Sequence, residues 1–203
     1  MRPAANSGKP YHHGALRSAL IEAGVALARD GGPDRVVLRE AARVAGVSHS
    51  AAYRHFADRE ALLAAVARQA RGELAAEMRR RIARTRDPRR RLEAVGAAYI
   101  DFALTHTGLF RTAYGAHAEP EPSADAGAAD PYAILGEVLD QAQAAGLLDP
   151  RHRPGAEIAA WSAVHGLAGL LLDGPLAADP AALEFALSRV LGLVDRGLLN
   201  SGH

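Results

Sequence analysis

Apolar residues recur at three- and four-residue spacing along most of this chain, which predicts helices throughout. From 15 to about 29, Leu16, Leu20, Ala23 and Leu27 form one stripe, and Gly31 and Gly32 follow as a stop. A shorter stripe of Leu38, Ala41, Ala42 and Ala45 is broken by Gly46 and Val47. Ser48 can then cap a third helix by accepting a backbone N–H. Ala51, Ala52 and Phe56 supply its inner face, while His49, Ser50, Tyr53, Arg54 and His55 look outward or to the flanks. Asp58 caps a longer helix in which Leu62, Val66, Ala70, Leu74, Met78 and Ile82 recur every fourth residue.

Three later starts share one signature. Asp87-Pro88, Asp130-Pro131 and Asp179-Pro180 each put a capping carboxylate before a proline suited to the first helical position. Gly108 and Gly146 are expected to end the helices before them, and 116–129 has no periodicity and is expected to be a mobile loop. No alternating pattern of strand length and no internal repeat is present. The predicted fold class is therefore all-α, with an N-terminal three-helix head joined by a long fourth helix to a helical body. In the head, the layout of residues 38 to 56, a short helix, a glycine-containing turn and a second short helix, is that of a helix-turn-helix. The expected division is a flexible basic arm at 1–10, a head at 11–66 and a body at 67–203.

Within the body, 156–172 is apolar nearly all round. Ile158, Trp161, His165, Ala168 and Leu172 make one stripe and Ala160, Ala163, Val164, Leu167 and Leu171 another, so both sides need cover. An internal pocket on one side and a second copy of the chain on the other would supply it. The last helix repeats the theme, with Leu183, Leu187, Val190, Val194 and Leu198 on one stripe and Phe185, Leu191 and Leu193 off it.

Composition narrows the possibilities. With 203 residues, 49% hydrophobic and 23% charged, the chain suits a folded protein of two units sharing a core. There is no cysteine, which removes disulfides, thiolate metal sites and cysteine nucleophiles and fits a cytoplasmic location. No secretory pattern opens the sequence, and its longest apolar run falls short of the roughly 20 residues that a bilayer span needs, so no membrane partner is expected. His106, His117, His152 and His165 are scattered without metal-ligand spacing. No phosphate-cradling loop, nucleophile elbow or paired carboxylates stand beside them. No catalytic residue, metal or cofactor is expected; an enzyme and a dimeric interaction protein without DNA binding are the rival classes.

The net charge of +1 hides an asymmetry. Residues 1–60 carry nine Lys and Arg against six acids, whereas 92–203 carry five against fourteen. A cationic head on an acidic body suits a protein whose head alone meets phosphates. The arginines between Arg79 and Arg91 begin about 30 Å along the fourth helix from Asp58, and they read as a solvated helix end rather than a second nucleic-acid site.

The stretch LREAARVAGVSHSAAYRHFADREALLAAVA, from Leu38 to Ala67, resembles the DNA-binding signature of the TetR/AcrR family of bacterial repressors. Tyr53-Arg54-His55-Phe56, followed by Asp58, Arg59, Glu60, Leu62 and Leu63, is its most specific part. YHHGALRSALIEAG, from Tyr11 to Gly24, is similar to that family's first helix. Trp161, His165 and Gly166 resemble the Trp-His-Gly type of TetR C-terminal domain. The resemblance implies a homodimer that binds a palindromic double-stranded DNA operator as a transcriptional repressor and is released by a small hydrophobic effector.

It also assigns residues. Tyr53, His55 and Arg59 would hold phosphates, with core packing as the other role open to Tyr53. His49, Ser50 and Arg54 would face base edges, Arg54 reaching either a guanine or a phosphate. His12, His13 and Arg17 would touch backbone, the two histidines alternatively forming a surface pair, and Arg2 and Lys9 of the arm would reach a neighbouring groove or a phosphate. Arg39 and Ser48 complete the expected DNA-contact set. Tyr99, Phe102, Phe110, Tyr114, Trp161 and His165 are the effector-pocket candidates, with plain core packing the alternative for Phe102 and Phe110. Two departures from the family pattern stand out: Val37 occupies the usual Ser or Thr cap position of the second helix, and Arg59 stands where lysine is common.

Overall fold

In the computed structural model, residues 11–115, 130–176 and 180–199 are described, with the side chains of 11–13 and 180 excepted. The arm at 1–10, the loop at 116–129 and Asp179 lie outside them. Nine α-helices and one short 3-10 turn make up the described residues: α1 (Tyr11–Gly31), the turn Pro33–Arg35, α2 (Leu38–Val44), α3 (His49–Tyr53), α4 (Arg59–Ile82), α5 (Pro88–Thr105), α6 (Thr107–Tyr114), α7 (Pro131–Ala144), α8 (Ala156–Leu172) and α9 (Pro180–Leu198). The sole pairing of strand type among them is an isolated antiparallel bridge between Leu148 and Leu199. No helix of the described residues is long and apolar enough to cross a membrane.

The caps form where side-chain chemistry places them. Ser48 Oγ accepts from Ala51 N at 3.2 Å, and an Asp58 carboxylate oxygen accepts from Ala61 N at 2.8 Å. Asp87 and Asp130 accept from Arg89 N and Tyr132 N at 2.9 and 3.0 Å. Val37 supplies no side-chain bond, yet α2 begins regularly, with Ala41 N donating to Val37 O at 2.9 Å. Burial replaces the missing cap, because Val36 and Leu38 on either side are sunk in the core.

α4 is the axis. Its fourth-residue stripe, Leu62, Val66, Ala70, Leu74, Met78 and Ile82, is buried along its whole length. The stripe packs against α1 at the head end and against α5, α6 and α7 in the body. One continuous apolar cluster therefore runs from Leu20 in the head to Leu199 near the C-terminus. A rigid shared core of this kind transmits displacement between its ends.

Gly108 corrects the sequence expectation. It does not end a helix but sits at the second position of α6; the break comes at His106, whose φ of −126° and ψ of 46° leave helical geometry. Gly108 is required for another reason: an added Cβ would lie 2.0 Å from the Ala28 carbonyl oxygen and 3.0 Å from Gly32 N. Here α6 meets the C-terminal end of α1 backbone to backbone. Gly146 behaves as expected, with φ of 73° and Leu147 N donating to Ala142 O at 2.9 Å beyond the end of α7.

The arginine run is mostly paired. Arg79 grips Glu137 in a two-pronged bond, Arg80 and Arg81 share Glu77, Arg81 also reaches Asp101 at 2.6 Å, and Arg89 pairs with Asp195. Arg80 and Arg81 hold the Glu77 carboxyl below its usual range, chiefly through the hydrogen bonds they donate. These side chains tie α4 and α5 to the rest of the body rather than presenting a bare cationic stripe.

Candidate nucleic-acid interface and effector pocket

The head's outer tip is α3 and the turn that follows it. Ala51 and Ala52 face the core, and Phe56, buried beyond the turn, anchors the exit. His49, Ser50 and Tyr53 remain exposed, Tyr53 by half. The His49 and Tyr53 rings meet edge to face at 4.8 Å between centroids, and Ser50 Oγ lies 3.2 Å from Ser48 Oγ. α3 is shorter than the sequence suggests. Arg54 is its C-cap and His55 follows in a turn, with His55 N donating to Ala52 O at 2.9 Å. Arg54 is exposed, whereas His55 is half-buried.

Other expected contacts divide. Arg39 lies exposed in the first turn of α2, and Arg17 is exposed with its guanidinium 5.0 Å from the centre of the Phe56 ring. His12 and His13 begin α1, but their side chains lie outside the described residues, as do Arg2 and Lys9.

Arg59, an expected phosphate contact, has a structural role as well. Its Nε donates to Val36 O at 3.0 Å and an Nη to Pro33 O at 2.7 Å, with Asp34 and Glu60 flanking it. The guanidinium thus bridges two main-chain carbonyls of the segment before α2, adding a second donor to Pro33 O, which also accepts from Val36 N, a role a single ammonium would fill less well. We expect Arg59→Ala to lower the stability of the head by about 1.5–3 kcal/mol, measured by chemical denaturation. Retained stability together with lost DNA affinity would overturn the structural role and leave phosphate contact as what Arg59 does.

In the body, five of the six pocket candidates converge. The Tyr99 ring lies 5.4 Å from Phe110, 5.7 Å from Tyr114, 4.9 Å from Trp161 and 6.2 Å from His165. Tyr99 Oη and His165 Nδ1 are 2.7 Å apart. Burial pushes both the Tyr99 and Tyr114 phenols above the usual tyrosine range, so both stay neutral. Tyr114 Oη is buried without a hydrogen-bond partner among the described residues. Phe102 does not join them. It packs on His106, 5.1 Å away, and borders a polar cleft on the other side of α5 lined by Glu73, Glu77, Arg80, Arg81 and Asp101.

Tyr99 and Trp161 also form one wall of a slot between α5, α8 and α9, otherwise lined by Met78, Leu92, Val95, Gly96, Leu135, Ala160, Val164, Leu191 and Val194, with Arg89, Glu93 and Asp195 among its lining. Its lining leaves about 450 Å³ of atom-free space, part of it open solvent, in a gap too narrow to seat more than about one water molecule. At Gly96 the helices come closest: a Cβ there would lie 2.5 Å from Leu191 Cδ2. The aliphatic and charged members of this slot escaped sequence reasoning. Arg89 and Asp195 are 106 positions apart, and neither stands in a local motif.

α6 links the pocket to the head. Phe110 and Tyr114 enter the aromatic cluster, while Gly108 abuts α1. Alongside, Arg29 at the end of α1 binds Glu73 of α4 and donates to His106 Nδ1 at 3.2 Å.

The family model described as bacterial regulatory proteins, tetR family, matches residues 20–66, and one described as a tetracyclin repressor-like C-terminal domain matches 92–192. Among solved structures, the chain is similar to a protein of unknown function from Rhodococcus sp. RHA1, at 34% identity and a TM-score of 0.76 over 95% of this chain and 100% of that one. A TetR family transcription regulator from Marinobacter aquaeolei VT8 aligns at 22% identity and 0.66 over 95% and 100%. The transcriptional regulator FadR of Bacillus subtilis, solved in complex with stearoyl-CoA, aligns at 15% identity and 0.66 over 89% and 98%. No curated protein matches the sequence.

Proposed function

Because the chain belongs to the TetR family of DNA-binding transcriptional regulators and is not an enzyme, we propose that it is a homodimeric repressor that leaves a palindromic operator when a small hydrophobic effector enters the body. The observation that carries this reading is the capped, core-anchored tip that keeps His49, Ser50, Tyr53 and Arg54 exposed together. A recognition helix this short reads few bases, so two copies on one duplex are needed for useful discrimination.

An apolar face supports the second copy. Ile158 and Leu170 on α8 and Phe185 and Leu193 on α9 are exposed large side chains, from 46% to 67%, with Ser162, Gly166 and Gly169 between the first two allowing close approach. Two such helices from each chain make a four-helix interface, with the heads about 34–36 Å apart. Within the Trp-His-Gly subtype that we carry into this reading, Trp161 and His165 serve the pocket side of α8, while Gly166 lies on the exposed side.

The narrow slot supports release. An effector of ordinary size must part α5 from α9, so it binds an opened body better than the closed one, and that difference in affinity drives the change. Displacement of the Tyr99 cluster passes to α6 and from Gly108 to α1, altering the separation of the heads.

Selection of bound fragments from a random duplex pool, followed by a screen for molecules that release them, tests the whole reading. Failure to enrich any sequence would overturn it. Within that assay Arg54→Ala should relax the selected motif at one position, and Tyr53→Ala should weaken all duplexes by about tenfold, the lower end of the range for a hydrogen bond to a charged group. An unchanged motif removes the base contact of Arg54, and an unchanged affinity removes the phosphate contact of Tyr53.

A further inference from the structure

The slot between α5, α8 and α9 is apolar except at one end, where Arg89, Glu93 and Asp195 gather. Arg89 and Asp195 are paired through one carboxylate oxygen, Oδ2. The other, Oδ1, is buried and has no hydrogen-bond partner among the described residues. A buried carboxylate oxygen left without a donor is costly, and such exceptions in native proteins call for an explanation.

Charge decides what would satisfy it. The Asp195 carboxylate offsets the Arg89 guanidinium, and Glu93, one turn along α5 from Arg89, leaves the end of the slot with a net negative charge. A ligand carboxylate or phosphate entering here would meet two acids and one already-engaged base. A protonated amine would instead donate to Asp195 Oδ1 and be attracted by Glu93, while its apolar part lay along Leu92, Val95, Val164 and Leu191 towards Trp161. Resting on the effector reading above, we propose that this slot selects amphipathic amines over acids and neutral alcohols, with Asp195 as the residue that determines head-group specificity. The chemistry differs from that of the acyl thioester held by the Bacillus subtilis regulator.

Trp161, the single tryptophan of the chain, lies in the slot's wall and reports occupancy by its fluorescence. Titrating the full-length protein with decylamine, 1-decanol and decanoate at neutral pH, below their aggregation limits, should show the amine binding about tenfold more tightly than the alcohol and the acid most weakly. Asp195→Asn should abolish the preference for amine over alcohol without weakening the alcohol; the head-group series on the unaltered protein remains decisive if that variant folds poorly. Decanoate binding as tightly as decylamine, or a preference that survives Asp195→Asn, would overturn the assignment while leaving the pocket in place. Silence of Trp161 towards all three would overturn it together with the effector site.

Discussion

Tyr99→Ala is expected to lower the folding stability by about 3–5 kcal/mol, the range for truncating a large aromatic side chain in a packed core. Tyr99 is fully buried and stands at the centre of the aromatic cluster, touching rings from α6 and α8. Its loss leaves a void between α5, α6 and α8 and deprives His165 of its partner. Tyr99→Phe separates the two contributions: it keeps the ring and should cost only about 1 kcal/mol, the net worth of an ordinary hydrogen bond. Urea denaturation of both variants checks this. A loss below about 1 kcal/mol for the alanine variant would mean that neighbouring rings close over the site and that Tyr99 is not the centre on which the cluster packs.

Gly108→Ala carries the second large effect. Its methyl would lie 2.0 Å from a main-chain oxygen of α1, an overlap that no rotamer change can relieve because the opposing atom is backbone. Either α6 or the end of α1 must shift, at an expected cost of about 3 kcal/mol, the upper end for overpacking a core. Since α6 also carries Phe110 and Tyr114, the variant should alter both operator affinity and effector response. Denaturation together with operator titration, with and without effector, measures both. A variant of native stability and unchanged DNA binding would show that α6 and α1 are not coupled at this point.

Much of the architecture was legible because it rests on local chemistry. A capping Ser48 or Asp58 satisfies an N–H three residues away, and the α4 stripe needs only helical periodicity, so both can be recognised from neighbours in the chain. The outward set His49, Ser50, Tyr53 and Arg54 followed from the same periodicity. The errors arose where distant groups intervened. Gly108 looks like a helix stop but answers to Ala28, and the bonds from Arg59 to the carbonyls of Val36 and Pro33 have no signal in the local sequence. Phe102 shares α5 with Tyr99 and its periodicity puts the two on neighbouring parts of one face, yet Phe102 packs on His106 and borders the polar cleft, a difference that only the neighbouring helices decide.

Helix identity, the order of elements and the family signature were written in residues close together in the chain, since hydrogen bonds between neighbours and a 3.6-residue repeat specify them. Which arginines stay exposed, which aromatic rings meet and where a carboxylate oxygen is left without a donor depended on side chains as far apart as Arg89 and Asp195. Only the folded packing of α5 against α8 and α9 brings those groups within reach, because burial and pairing are properties of three-dimensional neighbours.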